Sequence, residues 1–201
     1  QIGSAFVRGL QGNDPKYLKT VATAKHFAVH SGPESERHSF DAVISPHDFE
    51  DTYMPAFRAA IVEGKAESTM CAYNRINGEP ACANPFLLEH TLRGAWKFNG
   101  YVVSDCDAVA DIYNGHHFTR SLAEAGAVSL KTGMDNECAD FFTKAKDNSD
   151  YVKFIDAVHQ GILSESDIDT SLRRLFTARM RLGLFATPAH APYAHIPESE
   201  I

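Results

Sequence analysis

The chain has 201 residues, 44% of them hydrophobic, which is enough to bury the core of one or two domains. Its 26 acidic and 19 basic side chains are interspersed and give a net charge of -7, which argues against a nucleic-acid-binding protein. The sequence contains no run of about 18 apolar residues, so no membrane-spanning helix is predicted.

The predicted elements alternate between short apolar runs and longer helical patterns, as in βα units around a parallel sheet. Strands are predicted at residues 21–24, 68–73 and 101–104, and residues 133–135 begin a short fourth strand or a strand-like end. Helices are predicted at residues 45–63, 84–97, 121–131, 151–160 and 166–181. Residues 186–201 are rich in proline, alanine and histidine and are predicted to be a linker.

These units are too few for a closed eight-stranded barrel, which takes about 250 residues. An open sheet with exposed edges is also a poor end state for a folded domain. We therefore expect an α/β fold, a partial (β/α)8 TIM-like barrel with parallel strands and surrounding helices over residues 1–185, whose earlier strands are missing. Because the chain starts at Gln1, we expect a processed start or an excerpt of a longer protein.

Polar side chains stand where the predicted strands end, and that edge of a parallel barrel is where active sites are built. They are Lys25 and His26 after the first strand, Tyr73 and Asn74 after the second, Asp105 after the third and Asp135 near the fourth. Such groups form charge-assisted hydrogen bonds to the hydroxyls of a sugar. The pattern therefore favours a polyhydroxylated ligand.

Asp105 is the strongest candidate for a catalytic residue, because it follows the apolar run 101–104 directly. A carboxylate in this position can act as a nucleophile. The alternative is that Asp105 caps the following helix, a frequent role of aspartate. Lys25 and His26 alone are equally compatible with an ordinary loop, and residues 34–38 with a solvated one.

Four segments together resemble glycoside hydrolase family 3. They are AKHFAVHSGPESERHSFDAV, MCAYNRINGEPACANPFLLEHTLR, GYVVSDCDAV and LFTARMRLGLF, which occur in this order between residues 20 and 186. The resemblance implies a retaining, exo-acting β-glycosidase that forms a covalent glycosyl-enzyme intermediate on Asp105. It also implies secretion or a periplasmic location.

The resemblance further assigns roles to five residues around the nucleophile. Lys25, His26 and Arg37 would bind hydroxyls of the sugar, Tyr73 would sit against Asp105, and Met70 would line the pocket; for Met70 and Tyr73 the alternative is ordinary packing. The substrate would be an oligosaccharide or an aryl or alkyl glycoside. The paired-carboxylate mechanism requires no metal or cofactor.

The family's usual acid/base is expected in a separate C-terminal domain after the barrel, so we expect the isolated chain to be inactive. One alternative is a non-catalytic carbohydrate-binding remnant. Another is a β-N-acetylhexosaminidase-type enzyme with a Glu36–His38 dyad, although the loop lacks the Pro-Gly-His-Gly pattern of that branch. The adjacent His116 and His117 do not face one site and are assigned to the rim of the substrate entrance.

The four cysteines show no zinc-ligand spacing. Their surroundings, including SDCD at 104–107 and DNEC at 135–138, resemble the β-xylosidase-type members of the family. That resemblance implies a Cys106–Cys138 bridge, which would narrow the space around the sugar's C5 and favour xylose over glucose. Cys71 and Cys82 flank the turn at Asn77 and Gly78, so a second bridge is expected across that hairpin-like loop. The alternative is four small buried thiols.

Overall fold

The computed structural model describes residues 1–138, 149–193, 196, 197 and 199. In this part of the chain the strands are β1 (Thr23–Phe27), β2 (Asp41–Ala42), β3 (Ser68–Cys71), β4 (Arg75–Ile76), β5 (Glu79–Pro80) and β6 (Tyr101–Ser104). The main sheet is parallel, in the order β1-β3-β6, and pairs Thr23 with Ser68 and Ser68 with Tyr101. A smaller sheet pairs β2 with β4 in parallel and β4 with β5 as a hairpin.

The first helix precedes β1, and the other helices lie between or after the strands along the chain. The helices are α1 (Ile2–Gln11), α2 (46–63), α3 (Phe86–Ala95), α4 (Ala108–Asn114), α5 (Leu122–Thr132), α6 (Ser149–His159) and α7 (Glu165–Arg181). Helix α2 is continuous but alternates between α-helical and π-helical turns, at Pro46–Asp48, Phe49–Tyr53, Met54–Arg58 and Ala59–Glu63. Short 3-10 turns lie at Glu34–Glu36, Ala81–Ala83 and Pro188–His190.

Serine caps start three of these helices. The side chains of Ser45, Ser121 and Ser164 each accept a hydrogen bond from a backbone N–H of the first turn, which satisfies a donor that has no partner inside the helix. At Ser164 the bond is reciprocated by Asp167 in a capping box. Helix α5 ends at Gly133, whose φ of 111° is accessible to glycine at little cost.

The main core lies between the sheet and the helices that cover one of its faces. Phe27 is fully buried, and its ring contacts Phe57 of α2 at 5.0 Å and Trp96, next to α3, at 5.8 Å between centroids. Val102 of β6 is also fully buried, whereas Val103, which points to the opposite face, is only partly covered. The helices therefore cover one face and leave the other more open.

The parallel α/β architecture predicted from the alternating elements is confirmed. The fourth element, expected to begin at 133–135 as a short strand or a strand-like end, is a strand-like end: Gly133 caps α5, and Asn136 forms a single parallel bridge to Val103. The second strand ends at Cys71 rather than at residue 73. Helices α1 and α4 were not predicted. The predicted linker lies partly outside the described residues and stays a prediction.

Among the helices that the structure describes, none combines the length and the apolar character needed to cross a lipid bilayer.

Candidate active site

Asp105 lies directly after β6, at the carboxyl edge of the parallel sheet. Its backbone N–H donates to the carbonyl of Cys71 at 3.0 Å, which continues the pairing between β6 and β3. Its Oδ1 accepts a hydrogen bond from the N–H of Cys106 at 2.9 Å, while the buried Oδ2 has no hydrogen bond of standard geometry. The N-cap of α4 is Asp107, so the alternative that Asp105 caps this helix is wrong.

His26 of β1 reaches the same carboxylate. Its Nε2 lies 3.2 Å from Asp105 Oδ2, because β1 and β6 flank β3 in one parallel sheet and end at the same edge. Burial lowers the pKa of His26 below its ordinary value; the Asp105 charge opposes this shift, and the charges of Lys25 and Arg37 reinforce it. The imidazole is therefore held towards its neutral form. Lys25 itself is exposed beside it.

Tyr73, two residues beyond β3, lies against Asp105. Burial raises the pKa of the Tyr73 hydroxyl to about 12, and the charge and hydrogen bonding of Asp105 add to the effect. The phenol is therefore a hydrogen-bond donor over the whole physiological range. Arg37, on the loop after β1, places its guanidinium carbon 5.5 Å from the centre of the Tyr73 ring. This is within the range of a cation–π contact.

Arg37 is held by a second partner on its own loop. Its Nε and Nη2 donate to the two carboxylate oxygens of Glu34 at 2.8 and 2.5 Å, a bidentate arrangement that fixes the plane of the guanidinium. Met70 lies on β3, partly buried, and its backbone is paired with Val103 of β6. The structure thus brings Asp105, His26, Tyr73 and Arg37 together, with Lys25 and Met70 on the adjoining strands.

Two disulfides flank the nucleophile candidate. Cys106 is bonded to Cys138 and Cys71 to Cys82, with Cα–Cα distances of 4.3 and 5.2 Å, and none of the four cysteines is left as a free thiol. Both predicted disulfides are therefore present, and the alternative of four free, buried thiols is wrong. The Cys106–Cys138 bond ties the residue after Asp105 to the segment that follows Asn136.

Asp135 does not belong to this group, contrary to the expectation from its place near the fourth strand. Its side chain is fully buried and accepts hydrogen bonds from Arg93 at 2.6 Å, Arg174 at 2.7 Å and the backbone N–H of Val102 at 2.8 Å. Val102 lies inside β6, three residues before Asp105. The carboxylate therefore joins helices α3 and α7 to the sheet and has a structural role.

The Glu36–His38 dyad is not formed, because His38 pairs with a different carboxylate. Its Nδ1 lies 2.6 Å from Oδ2 of Asp111 on α4, while Glu36 is exposed. The assignment of His116 to the rim is also wrong, since this residue is buried and its Nε2 donates to the carbonyl of Tyr73 at 2.7 Å. Of these two adjacent histidines, His117 is the exposed one.

Sequence reasoning did not identify Asp111 as part of the site. Asp111 and His38 are 73 residues apart, and no local pattern relates them. His30, whose ring centroid lies 5.1 Å from that of His26 and 6.0 Å from that of Tyr73, was also missed. Its place five residues after Lys25 in a stretch with several histidines was the available signal.

Chemically, the site combines one carboxylate with a neutral imidazole, a phenol and a guanidinium. These are the groups that hold a sugar by its hydroxyls while a carboxylate approaches the anomeric carbon. Within the described ranges, no three histidine, cysteine, aspartate or glutamate side chains are arranged to hold a metal ion.

Known families and sequences that resemble this chain are glycoside hydrolases. The profile of the family described as "Glycosyl hydrolase family 3 N terminal domain" matches residues 1–178. The chain is 41% identical over 208 residues to the probable beta-D-xylosidase 7 of Arabidopsis thaliana, an alignment that covers 98% of this chain and 26% of that protein. It is 39% identical over 200 residues to a xylan 1,4-beta-xylosidase of Xylanibacter ruminicola, with 98% and 22% covered.

Solved structures give the same picture. An exo-beta-xylosidase in complex with a xylobiose aziridine activity-based probe superposes with a TM-score of 0.88 at 34% identity, over 96% of this chain and 25% of that one. A beta-glucosidase from Listeria innocua in complex with glucose gives a TM-score of 0.82 at 30% identity, over 100% of this chain and 26% of that one. The chain thus spans about a quarter of the length of these relatives.

Proposed function

Because the chain belongs to glycosyl hydrolase family 3, we propose that it carries the nucleophile part of the active site of a retaining exo-β-glycosidase. The observation that carries the proposal is the environment of Asp105. Its buried Oδ2 has no hydrogen bond of standard geometry and lies 3.2 Å from His26 Nε2, at the carboxyl edge of the sheet. We assign the attack to this carboxylate, whose side chain is 12% exposed.

In the proposed reaction Asp105 attacks the anomeric carbon as the bond to the leaving-group oxygen breaks, and an acid delivers a proton to that oxygen. Water then attacks the glycosyl ester, gives its proton to the same acid/base group, and releases Asp105 and a sugar of retained configuration. The acid/base must lie about 5–5.5 Å from the nucleophile. We propose that it comes from a C-terminal domain, since the relatives are about four times as long as this chain.

The other groups bind and orient the sugar in this proposal. The neutral imidazole of His26 can donate to a hydroxyl or accept from one, and the ammonium of Lys25 and guanidinium of Arg37 supply charge-assisted bonds. Tyr73 stays protonated, because its pKa is raised to about 12, and its hydroxyl orients the Asp105 carboxylate. Met70 supplies an apolar wall beside them.

We propose terminal β-D-xylosyl residues as the substrate, with β-D-glucosyl residues second. The proposal draws on the names of the relatives, several of which are beta-xylosidases. It also draws on the Cys106–Cys138 disulfide, which lies immediately beside the nucleophile and restricts the space there. A pentose lacks the hydroxymethyl group on C5 and therefore needs less room than a hexose.

We further propose that the sheet is part of a (β/α)8 barrel completed by additional βα units. Two helices expose apolar side chains, Ile2 and Phe6 on α1 and Phe176 and Met180 on α7. Exposed stripes of this kind are what a neighbouring helix would cover. The two disulfides agree with a secreted or periplasmic location, where such bonds persist.

The experiment uses 2-deoxy-2-fluoro-β-xylosyl fluoride, whose leaving group needs little acid assistance, on the chain and on the complete enzyme. We expect the mass of the protein to increase by one fluoroxylosyl group. This labelling should be faster than labelling by the glucosyl analogue. Aryl β-xylosides should be turned over by the complete enzyme only. Turnover by the isolated chain above an Asp105→Ala control would contradict the proposed place of the acid/base, and a non-catalytic remnant would show no label in either form.

A further inference from the structure

Tyr73 is held from two directions, by His116 of the segment that follows α4 and by His38 of the loop after β1. On one side, the buried His116 donates from Nε2 to the Tyr73 carbonyl at 2.7 Å. On the other side, the imidazole of His38 meets the Tyr73 ring edge-on, with 4.8 Å between centroids and an angle of 68°. The same His38 ring is bonded through Nδ1 to Oδ2 of Asp111 on α4 at 2.6 Å.

The Asp111 carboxylate has one evident task in this arrangement. Its side chain is only 12% exposed, and burial raises its pKa while the hydrogen bond to His38 opposes the shift. A carboxylate is costly to bury without a partner, so the contact to His38 is a specific one. The His38 side chain is 55% exposed and would otherwise sample several rotamers. Asp111 therefore fixes the orientation of the imidazole.

The backbone supports the same contact independently. A Cβ added at Gly115, just after α4, would lie 2.0 Å from the carbonyl oxygen of His38. The loop carrying Arg37 and His38 thus rests directly on the end of α4, and only glycine allows this approach. Side chain and backbone both dock this loop onto the helix that begins three residues after Asp105.

We propose that His38 and Asp111 form a positioning pair, which sets the Tyr73 ring against Asp105 and shields it from water. Neither residue needs to touch the sugar. The pair acts through Tyr73, whose hydroxyl orients the nucleophile, and through the loop that carries Arg37. The catalytic consequence rests on the proposed function, whereas the positioning of Tyr73 does not.

The first test follows the ionisation of Tyr73 in the isolated chain by NMR of ¹³Cζ-labelled tyrosine, assigned with a Tyr73→Phe variant. Charged and titratable groups around the ring are Asp105, Asp107, Arg37, His30, His38 and His116. In the parent chain Tyr73 should remain mostly protonated at pH 11, because its pKa is about 12.

Asp111→Ala should release the His38 ring, admit water to Tyr73 and lower its pKa from about 12 towards the ordinary 10.0. His38→Ala, at a half-exposed side chain, carries the same prediction and does not depend on Asp111→Ala folding. Asp111→Asn should keep the high value, because the carboxamide oxygen still accepts from Nδ1–H. Asn114→Ala, exposed on the same helix, is the matched control; circular dichroism at pH 11 verifies the fold.

Two outcomes would overturn the inference. One is an unchanged Tyr73 pKa in His38→Ala; the other is a fall of the Tyr73 pKa in Asp111→Asn as large as in Asp111→Ala, which would indicate a charge effect.

A second experiment tests the catalytic consequence by measuring the rate of Asp105 labelling by the fluoroxylosyl fluoride in the complete enzyme. His38→Ala should slow it about ten- to a hundredfold, and add little in a Tyr73→Phe background. Additive losses would contradict action through Tyr73. Absence of labelling in the parent would refute the proposed function, while the Tyr73 titration would still decide whether the pair positions the ring.

Discussion

Replacing Asp135 by alanine should cost this chain a large part of its stability. The carboxylate is fully buried and is the shared acceptor of Arg93, Arg174 and the backbone N–H of Val102. Its loss leaves two guanidinium groups facing each other without a counter-charge, and a buried N–H without an acceptor. The pKa of Arg93 already lies below its ordinary value because of burial, and the Asp135 charge opposes that shift.

The magnitude follows from the partners that remain. Removing one partner of a buried ion pair typically costs about 3–5 kcal/mol, because the other charge is left uncompensated. Domains of ordinary stability unfold with about 5–15 kcal/mol, so the variant should be close to the limit of folding. For a chain of this size the loss corresponds to a decrease of about 6–20 °C in Tm.

The assay is urea unfolding followed by circular dichroism, with Asp51→Ala as the control. Asp51 is an exposed carboxylate on α2, and its replacement should change the free energy of unfolding by less than about 0.5 kcal/mol. A loss below about 1 kcal/mol in Asp135→Ala would refute the reasoning, because it would mean that the two arginines are solvated without their partner.

Three further predictions concern the surroundings of the nucleophile. Thiol titration in denaturant should find no free thiol without reductant, and replacing Cys106 and Cys138 together by serine should cost about 3–4 kcal/mol in urea unfolding; a variant of parental stability would contradict the disulfide. Burial lowers the pKa of His116, so below about pH 6.5 the unfolded chain binds a proton that the native residue does not. The free energy of unfolding should therefore fall on acidification from that pH towards the lowered pKa, by up to about 1.4 kcal/mol per pH unit for this group, and an unchanged slope in His116→Gln would be contrary evidence. Gly115→Ala places a Cβ 2.0 Å from the carbonyl oxygen of His38 and should cost about 1–3 kcal/mol; a neutral effect would mean that the loop is not docked there.

The central pairing of the site could be predicted from the sequence because it depends on sheet topology. Parallel strands end at one edge, so polar residues at the carboxyl ends of β1 and β6 are expected to meet. His26, the next-to-last residue of β1, and Asp105, directly after β6, do so at 3.2 Å. The starts of the helices that follow Ser45 and Ser164 could also be predicted from the sequence, because the hydrogen bonds of a helix cap join residues that are close in the chain.

Other parts of the site depend on contacts that leave no local pattern. Asp111 pairs with His38 across 73 residues, and only the folded loop brings them together. The prediction that Asp135 lies with the polar side chains at the edge of the sheet was wrong for a related reason. Alternation along a strand fixes the direction of side chains only while the strand continues. At Asp135 the chain has just left α5 and forms no strand, and the side chain turns towards Arg93 and Arg174.

The assignment of the nucleophile is tested most directly by locating the fluoroxylosyl label. After reaction with the fluoride, peptic peptides of the complete enzyme are sequenced by tandem mass spectrometry, with Asp105→Asn and Asp107→Asn as paired variants. We predict the sugar on Asp105, an unlabelled Asp105→Asn protein and a labelled Asp107→Asn protein. A sugar on any other carboxylate, or labelling that survives Asp105→Asn, would contradict the account.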